Sequence, residues 1–252
     1  MSNPLFNEDL WNQSGTSTDS VTVNGTVLKT GILLLVVLML FGMTWDSLAR
    51  TGLAFTFQPF PAMVIAGISS FILVLIAGFI PHSAPVTGSL YAAFKGVLLG
   101  SGGWLMNQNP SFEGLPLLAA TMTIGTLAGM LFLYAKGIIR ATPFFKKVVI
   151  SATIGLAVGL GILWLFTFLG VGTGIMAALI GSGPFGIGLS IFCVGLAAFN
   201  LILDFDFIEN AVAKRLPKYF EWVGALGLLV TLLWLYIEFL RLLNKLNKLR
   251  QR

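Results

Sequence analysis

The 252-residue chain is too apolar for a water-soluble fold: 56% of its residues are hydrophobic and 10% are charged, whereas soluble domains carry roughly 25% charged residues. Its net charge of +5 does not indicate nucleic-acid binding, because the basic residues lie at the ends of apolar segments rather than along one face. The composition therefore predicts an all-α integral membrane protein that contacts the lipid bilayer and has no nucleic-acid partner.

Residues 1–28 form a polar N-terminal segment that is predicted to be flexible. The segment contains Glu8, Asp9 and Asp19 and lacks the basic-then-apolar run of a cleavable signal peptide. The first membrane span must then direct insertion. The transmembrane domain is predicted at residues 29–243, followed by a basic C-terminal tail at 244–252.

Seven apolar stretches are long enough to cross a bilayer, which takes about 20 residues of helix. Proline, glycine and polar residues separate them. A shorter apolar stretch, from Gly172 to Ile180, is too brief to cross and is interpreted as interfacial or re-entrant. The predicted spans are Lys29–Arg50, Phe60–Ile80, Val86–Met106, Leu115–Lys136, Lys146–Leu169, Pro184–Asn210 and Pro217–Leu243.

Glycines recur inside the spans at a spacing typical of helix contacts in lipid, where small residues let two backbones approach closely. The pattern predicts close helix packing at Gly155, Gly159 and Gly161 in the fifth span and at Gly224 and Gly227 in the seventh.

Basic residues indicate the orientation. They crowd the fourth and sixth loops, and the fifth loop has no lysine or arginine. The positive-inside rule therefore places loops four and six, and the N-terminus, in the cytoplasm. Seven crossings would send the basic tail to the opposite side, against the same rule. Either the charges of the tail are overruled or one of the seven segments does not cross, and we favour seven crossings.

The common catalytic constellations are missing from the sequence. His82 is the only histidine and Cys193 the only cysteine, so neither a two-histidine metal site nor a disulfide can form within the chain. The spacing GxGxxG occurs at Gly181–Gly186 but follows no predicted strand, so it does not indicate a dinucleotide site. We predict that the protein is not an enzyme and carries no resident cofactor.

Ionisable residues inside apolar segments are costly, which makes them candidates for function. Three carboxylates, Asp204, Asp206 and Glu209, lie close together near the end of the sixth span. On a helix Asp204 and Asp206 point about 200° apart, whereas Asp206 and Glu209 share a face. A short connection brings the start of the seventh span alongside, so Glu221 is a candidate partner of Asp206. Glu238 lies at the other end of that span and is predicted to pair with Arg241.

Two carboxyl groups held together in a dry site share a proton, so such a pair senses pH. When both are deprotonated, their oxygens suit a transient Ca²⁺ ion. We therefore consider Asp206, Asp204, Glu221 and Glu209 as metal ligands. The alternative is that these acids lie at the water interface, cap the helix end and balance Lys214 and Arg215.

Lys95 lies near the middle of the third span with no acid nearby in sequence. One hypothesis is that it turns inward and pairs with Asp204 or Asp206 as a latch. The other is that it extends its ammonium group to the membrane surface.

Three segments resemble the Bax inhibitor-1, or transmembrane Bax inhibitor motif, family in a bacterial form: Ala198–Glu209, Pro217–Trp222 and Trp234–Leu243. The resemblance implies a multi-pass protein of the bacterial cytoplasmic membrane with seven helices, the last enclosed by the other six. It also implies a pH-sensitive Ca²⁺ leak, known for at least part of the family, gated by an aspartate pair.

The first gate aspartate of the family follows an aromatic residue, so Phe205-Asp206 points to Asp206. The second falls here on Val230 or Thr231, and neither is acidic. Either Glu221 substitutes for it or the paired-acid gate has been lost. The alternative function is a non-transporting regulator that binds other membrane proteins, such as proteases or stress-response proteins.

Overall fold

The computed structural model describes residues 20–108, 112 and 114–250. This part of the chain is helical, with a short 3-10 turn at Pro81–Ser83 and two isolated β-bridges. The predicted all-α class is confirmed. The helices are α1 (Val23–Thr51), α2 (Pro59–Phe79), α3 (Ala84–Asn107), α4 (Leu115–Ala135), α5 (Pro143–Phe168), α6 (Thr173–Ile180), α7 (Pro184–Ala213) and α8 (Phe220–Arg250).

Local chemistry explains where the helices begin and end. Proline is the first residue of α2, α5 and α7, because its fixed φ suits a first turn and its missing N–H is not needed there. Thr22 and Thr142 accept hydrogen bonds from backbone N–H groups at the starts of α1 and α5. Helix α1 ends at Thr51 and is capped by Gly52, whose φ of 71° is left-handed. The proline and glycine breakers in the sequence thus mark real helix ends.

The first helix begins, and the last helix ends, at residues other than those predicted. Helix α1 begins at Val23 rather than Lys29, and α8 continues to Arg250, so most of the predicted basic tail is helical. Residues 1–19 lie outside the described part of the chain, so the flexibility predicted for the N-terminal segment stays a prediction. The apolar stretch that was too short to cross is the eight-residue helix α6.

Six helices are long and apolar enough to cross a membrane: α1, α2, α4, α5, α7 and α8. The prediction of seven spans is thus confirmed for six. Helix α3 does not meet this measure, and its sequence contains Lys95 and several glycines. Two of those glycines lie against α1: a Cβ atom at Gly96 would be 2.6 Å from Val37 O, and one at Gly100 would be 2.9 Å from Phe41 O. This face of α3 is shaped for another helix rather than for lipid.

The predicted glycine contacts are right at one place and wrong at another. A Cβ atom at Gly224 would lie 3.1 Å from both Ile208 and Thr26 side chains, so this glycine does admit a close neighbour. Gly155, Gly159 and Gly161 in α5 face open space, with no heavy atom within 4 Å of a built Cβ. Spacing alone does not show which side of a helix packs.

The chain divides into two compact units. Unit 1 comprises the described residues of Met1–Pro110 and Phe207–Val230, and unit 2 those of Ser111–Asp206 and Thr231–Arg252. In unit 1, α1, α2 and α3 pack around small cores such as Leu48 with Ala54 and Ala62. Unit 2 contains α4, α5 and α6 with the larger part of α7 and of α8. The prediction of one transmembrane domain, and of a last helix enclosed by the others, stays a prediction.

Candidate functional site

Glu221 lies in the first turn of α8 and is buried, with 2% of its surface exposed. The N–H and the hydroxyl of Thr22 donate to Glu221 Oε1 over 3.0 and 2.8 Å. The Lys29 ammonium donates to Oε2 and also lies 5.5 Å from the centre of the Trp222 ring. Both carboxylate oxygens are therefore occupied by groups of α1 and its N-cap, where the helix dipole favours negative charge.

Gly25 makes room for this carboxylate. A Cβ atom there would lie 2.2 Å from Glu221 Oε1, closer than any side chain tolerates. Thr22 is the N-cap of α1, and its hydroxyl also accepts the Gly25 N–H over 3.0 Å. We name Thr22, Gly25, Lys29 and Glu221 the Glu221 tie, because these residues join the beginning of α1 to the beginning of α8.

Asp206 belongs to unit 2 and makes an ion pair with Lys146, with 2.5 Å between Oδ2 and Nζ. Lys146 lies in the first turns of α5. The side chains are 20% and 38% exposed, so this pair is more accessible than the Glu221 tie. The positive charge at Asp206 is therefore supplied by the protein itself.

Asp204 has a different environment. Its Oδ2 atom is buried and has no hydrogen-bond partner among the described residues. The hydroxyl of Thr231 in α8 hydrogen-bonds the Asp204 carboxyl. One oxygen of a buried carboxyl is thus left without a donor, which costs on the order of 1–3 kcal/mol unless a proton or an ion occupies it.

A short polar row extends from Asp204 along α7. Asn200 lies one turn before Asp204 on the same face of the helix. The side-chain amide of Asn200 donates hydrogen bonds to Thr153 Oγ1 of α5, over 3.0 Å, and to Leu196 O, over 2.8 Å. Phe205 packs against the Tyr134 ring, with the ring centres 5.7 Å apart. This row of unit 2 thus comprises four polar side chains from α5, α7 and α8: Thr153, Asn200, Asp204 and Thr231.

Two further candidates, Glu209 and Lys95, lie in unit 1. Glu209 is exposed at the end of α7. The Lys95 ammonium lies 5.4 Å from the centre of the ring of Tyr91, one turn earlier in the same helix. The pairing of Lys95 with Asp204 or Asp206 stays a prediction. The predicted pair of Glu238 and Arg241 is confirmed at 2.8 Å in unit 2.

Metal binding by the four acids stays a prediction. Asp204 and Asp206 belong to unit 2, and Glu209 and Glu221 to unit 1. Among the described residues, no three side chains of His, Cys, Asp or Glu form a group able to hold a metal ion. Any cation at Asp204 would therefore rely on hydroxyl, carbonyl or water oxygens as further ligands.

Sequence reasoning missed Lys29, Lys146 and Thr231 as partners of the acids. The two lysines were interpreted only as markers of orientation at span ends. A usable signal was present for Lys146, since the positive-inside rule placed loops four and six on one side of the membrane. A lysine that begins the fifth span is then at the same level as an aspartate that ends the sixth.

Comparison with known proteins gives one match. The family model described as Bax inhibitor 1 like matches residues 3–248, nearly the whole chain. No curated protein and no solved structure matches significantly. The six apolar helices agree with the membrane character of that family. The chain therefore belongs to the Bax inhibitor 1 like family and is a multi-pass membrane protein.

Proposed function

We propose that the protein is a passive cation leak, that Ca²⁺ is the conducted ion, and that protons compete with it at Asp204. The observation that carries this proposal is the buried Oδ2 atom of Asp204, which has no hydrogen-bond partner among the described residues. A proton or a cation bound there removes the cost of the unpaired oxygen. Exchange between the two would make conduction depend on pH.

Asp204 is a better candidate for the ion site than Asp206, although the family motif points to Asp206. Asp206 already has Lys146 as a cationic partner, and Glu221 already has Lys29. A conducted ion would have to displace these lysines. Asp206 then acts as a neighbouring acid that adjusts the local field, and Glu209 as an exposed acid at the end of the same helix.

Thr231 gives a second line of support. The resemblance puts the other gate aspartate at Val230 or Thr231, and Thr231 is the residue whose hydroxyl hydrogen-bonds Asp204. A threonine offers an oxygen ligand without a second negative charge. Because Ca²⁺ affinity rises with the number of charged ligands, an aspartate–threonine pair would bind the ion more weakly than two aspartates.

Ca²⁺ flux into vesicles tests the proposal. The full chain is reconstituted with a trapped Ca²⁺ indicator, and the initial flux is measured at several pH values between acid and neutral. We expect flux above that of empty vesicles, and in Asp204→Asn a fall of about tenfold, corresponding to about 1.4 kcal/mol of lost ion binding, together with loss of the pH dependence. Asp46→Asn is the control, because Asp46 is an exposed acid paired with Arg50.

Two outcomes oppose the proposal. Wild-type vesicles that admit Ca²⁺ no faster than empty ones would rule out a leak and would favour the non-transporting regulator, which copurification of a membrane partner would then have to support. An Asp204→Asn protein with normal flux and a normal pH profile would remove Asp204 from the pathway. Location in the bacterial cytoplasmic membrane and the crossing of α3 are further parts of the proposal.

A further inference from the structure

Unit 2 contains a cavity of about 600 Å³ that the leak proposal does not use. Pockets that hold small molecules measure roughly 300–1,000 Å³, so its size suits a ligand. Its walls come from α5, α6, α7 and α8. Helices α5 and α6 contribute apolar side chains such as Leu160, Trp164 and Met176, and α8 contributes the charged side chains Glu238, Arg241 and Lys245.

Lys245 is the buried cation of this cavity, with 7% of its surface exposed. Its ammonium donates to Leu179 O over 2.8 Å and to Gly186 O over 2.7 Å. These two backbone carbonyls are neutral, so they orient the ammonium without cancelling its charge. A lysine has three N–H donors, and the third remains for a ligand.

The charges of the cavity do not balance. Glu238 accepts from Arg241 over 2.8 Å, and the carboxylate side chain is 5% exposed. Two cations and one carboxylate line the cavity, which leaves a net charge of +1. The Arg241 side chain is 60% exposed, so its guanidinium has further donors available beside Lys245. An anion is the complementary ligand.

We propose that this cavity binds an anionic phospholipid, with the headgroup phosphate at Lys245 and Arg241 and part of an acyl chain along Leu160 and Trp164. Basic pockets between transmembrane helices are suited to anionic headgroups. The apolar wall distinguishes a lipid from a free anion, because a free anion would leave that wall in contact with water. The single +1 charge matches the one negative charge of a phosphate diester.

Filling the cavity tests the proposal without touching its charges. A Cβ atom at Gly161 has no heavy atom within 4 Å, and Gly161 lines the cavity, so Gly161→Leu should fold and occupy the ligand's space. Gly159→Leu is the matched control: Gly159 lies in the same helix, is equally unobstructed and is not among the lining residues. Both variants exchange a helix glycine for a better helix former.

Binding is measured by native mass spectrometry of the full chain in detergent, titrated with phosphatidylglycerol, phosphatidylcholine or inorganic phosphate. We expect one phosphatidylglycerol to bind at least about tenfold more tightly than phosphatidylcholine, and inorganic phosphate not to compete with it. Gly161→Leu should lose this binding, and Gly159→Leu should keep it.

Charge variants give an independent result. Arg241→Gln and Lys245→Gln should each weaken phosphatidylglycerol binding about fivefold, the factor expected for one basic residue at a lipid surface. Lys248→Gln is the control, since Lys248 is an exposed cation of the same helix outside the cavity. Arg241 is exposed, so its variant stays informative if Lys245→Gln does not fold.

Three results would overturn the proposal. Equal affinity for the two lipids would remove the role of the net charge. Displacement by inorganic phosphate would show a site for free anions. Unchanged phosphatidylglycerol affinity in both Gly161→Leu and Arg241→Gln would place the lipid elsewhere.

Discussion

Two buried carboxylates, one in each unit, have opposite environments. Glu221 accepts from Thr22 and Lys29 with both of its oxygens. Asp204 has a hydroxyl partner in Thr231 and a buried oxygen without one. The Glu221 carboxylate is held by the ammonium of a side chain, Lys29, and this contact joins two helices. In the proposed leak, Asp204 would bind an ion that exchanges with solvent, because its free oxygen is not occupied by any side chain that the structure describes.

Removing the cation of the Glu221 tie should have the largest effect. Lys29→Met leaves a buried carboxylate with only the Thr22 donors, and we expect a loss of about 3 kcal/mol in the free energy of unfolding. Thermal unfolding in detergent measures it. The double variant Lys29→Met with Glu221→Met should recover most of the loss, because it removes both charges. Equal stability of Lys29→Met and the wild type would show that the tie is not structural.

Gly25→Ala should have a smaller effect by displacing the carboxylate without changing any charge. The new Cβ would lie 2.2 Å from Glu221 Oε1, and relieving this overlap should cost about 1–3 kcal/mol. Gly31→Ala in the same helix is the control, because nothing lies within 4 Å of its Cβ, and it should be neutral or stabilising. Similar melting temperatures for the two variants would argue against the tie.

Asp204→Asn should have the smallest effect on stability. The carboxyl has one unpaired oxygen in the structure, so neutralising it removes little that holds the fold, and we expect a change below about 1 kcal/mol. Glu221→Gln, measured beside it, should cost more, since it loses an ion pair. If Asp204→Asn unfolds at a lower temperature than Glu221→Gln, the two carboxylates have been assigned the wrong roles.

Much of the fold was predictable because helix ends carry their own chemistry. Proline begins α2, α5 and α7, and long apolar runs follow. The pairing of Glu238 with Arg241 followed from their spacing of three residues on one helix. These features depend on near neighbours in the chain, so the sequence alone contains them.

The partners of Asp204, Asp206 and Glu221 depend on contacts between helices. A lysine at a span end has the same sequence pattern whether it faces lipid headgroups or a carboxylate. Thr231 carries no charge and so gave no signal. The same lack of directional information explains why Gly155 and Gly159 were assigned contacts that they do not make.

Lys245 also has a consequence for where the polypeptide can be shortened. Its ammonium is the donor for the Leu179 and Gly186 carbonyls, 66 and 59 residues earlier in the chain. Leu179 lies in the last turn of α6, where a carbonyl has no N–H of its own helix to accept from. Cleavage by a protease ahead of residue 245 would therefore remove the donor of the Leu179 carbonyl. Cleavage after residue 245 would spare this contact, so we expect α8 to tolerate shortening only beyond this lysine.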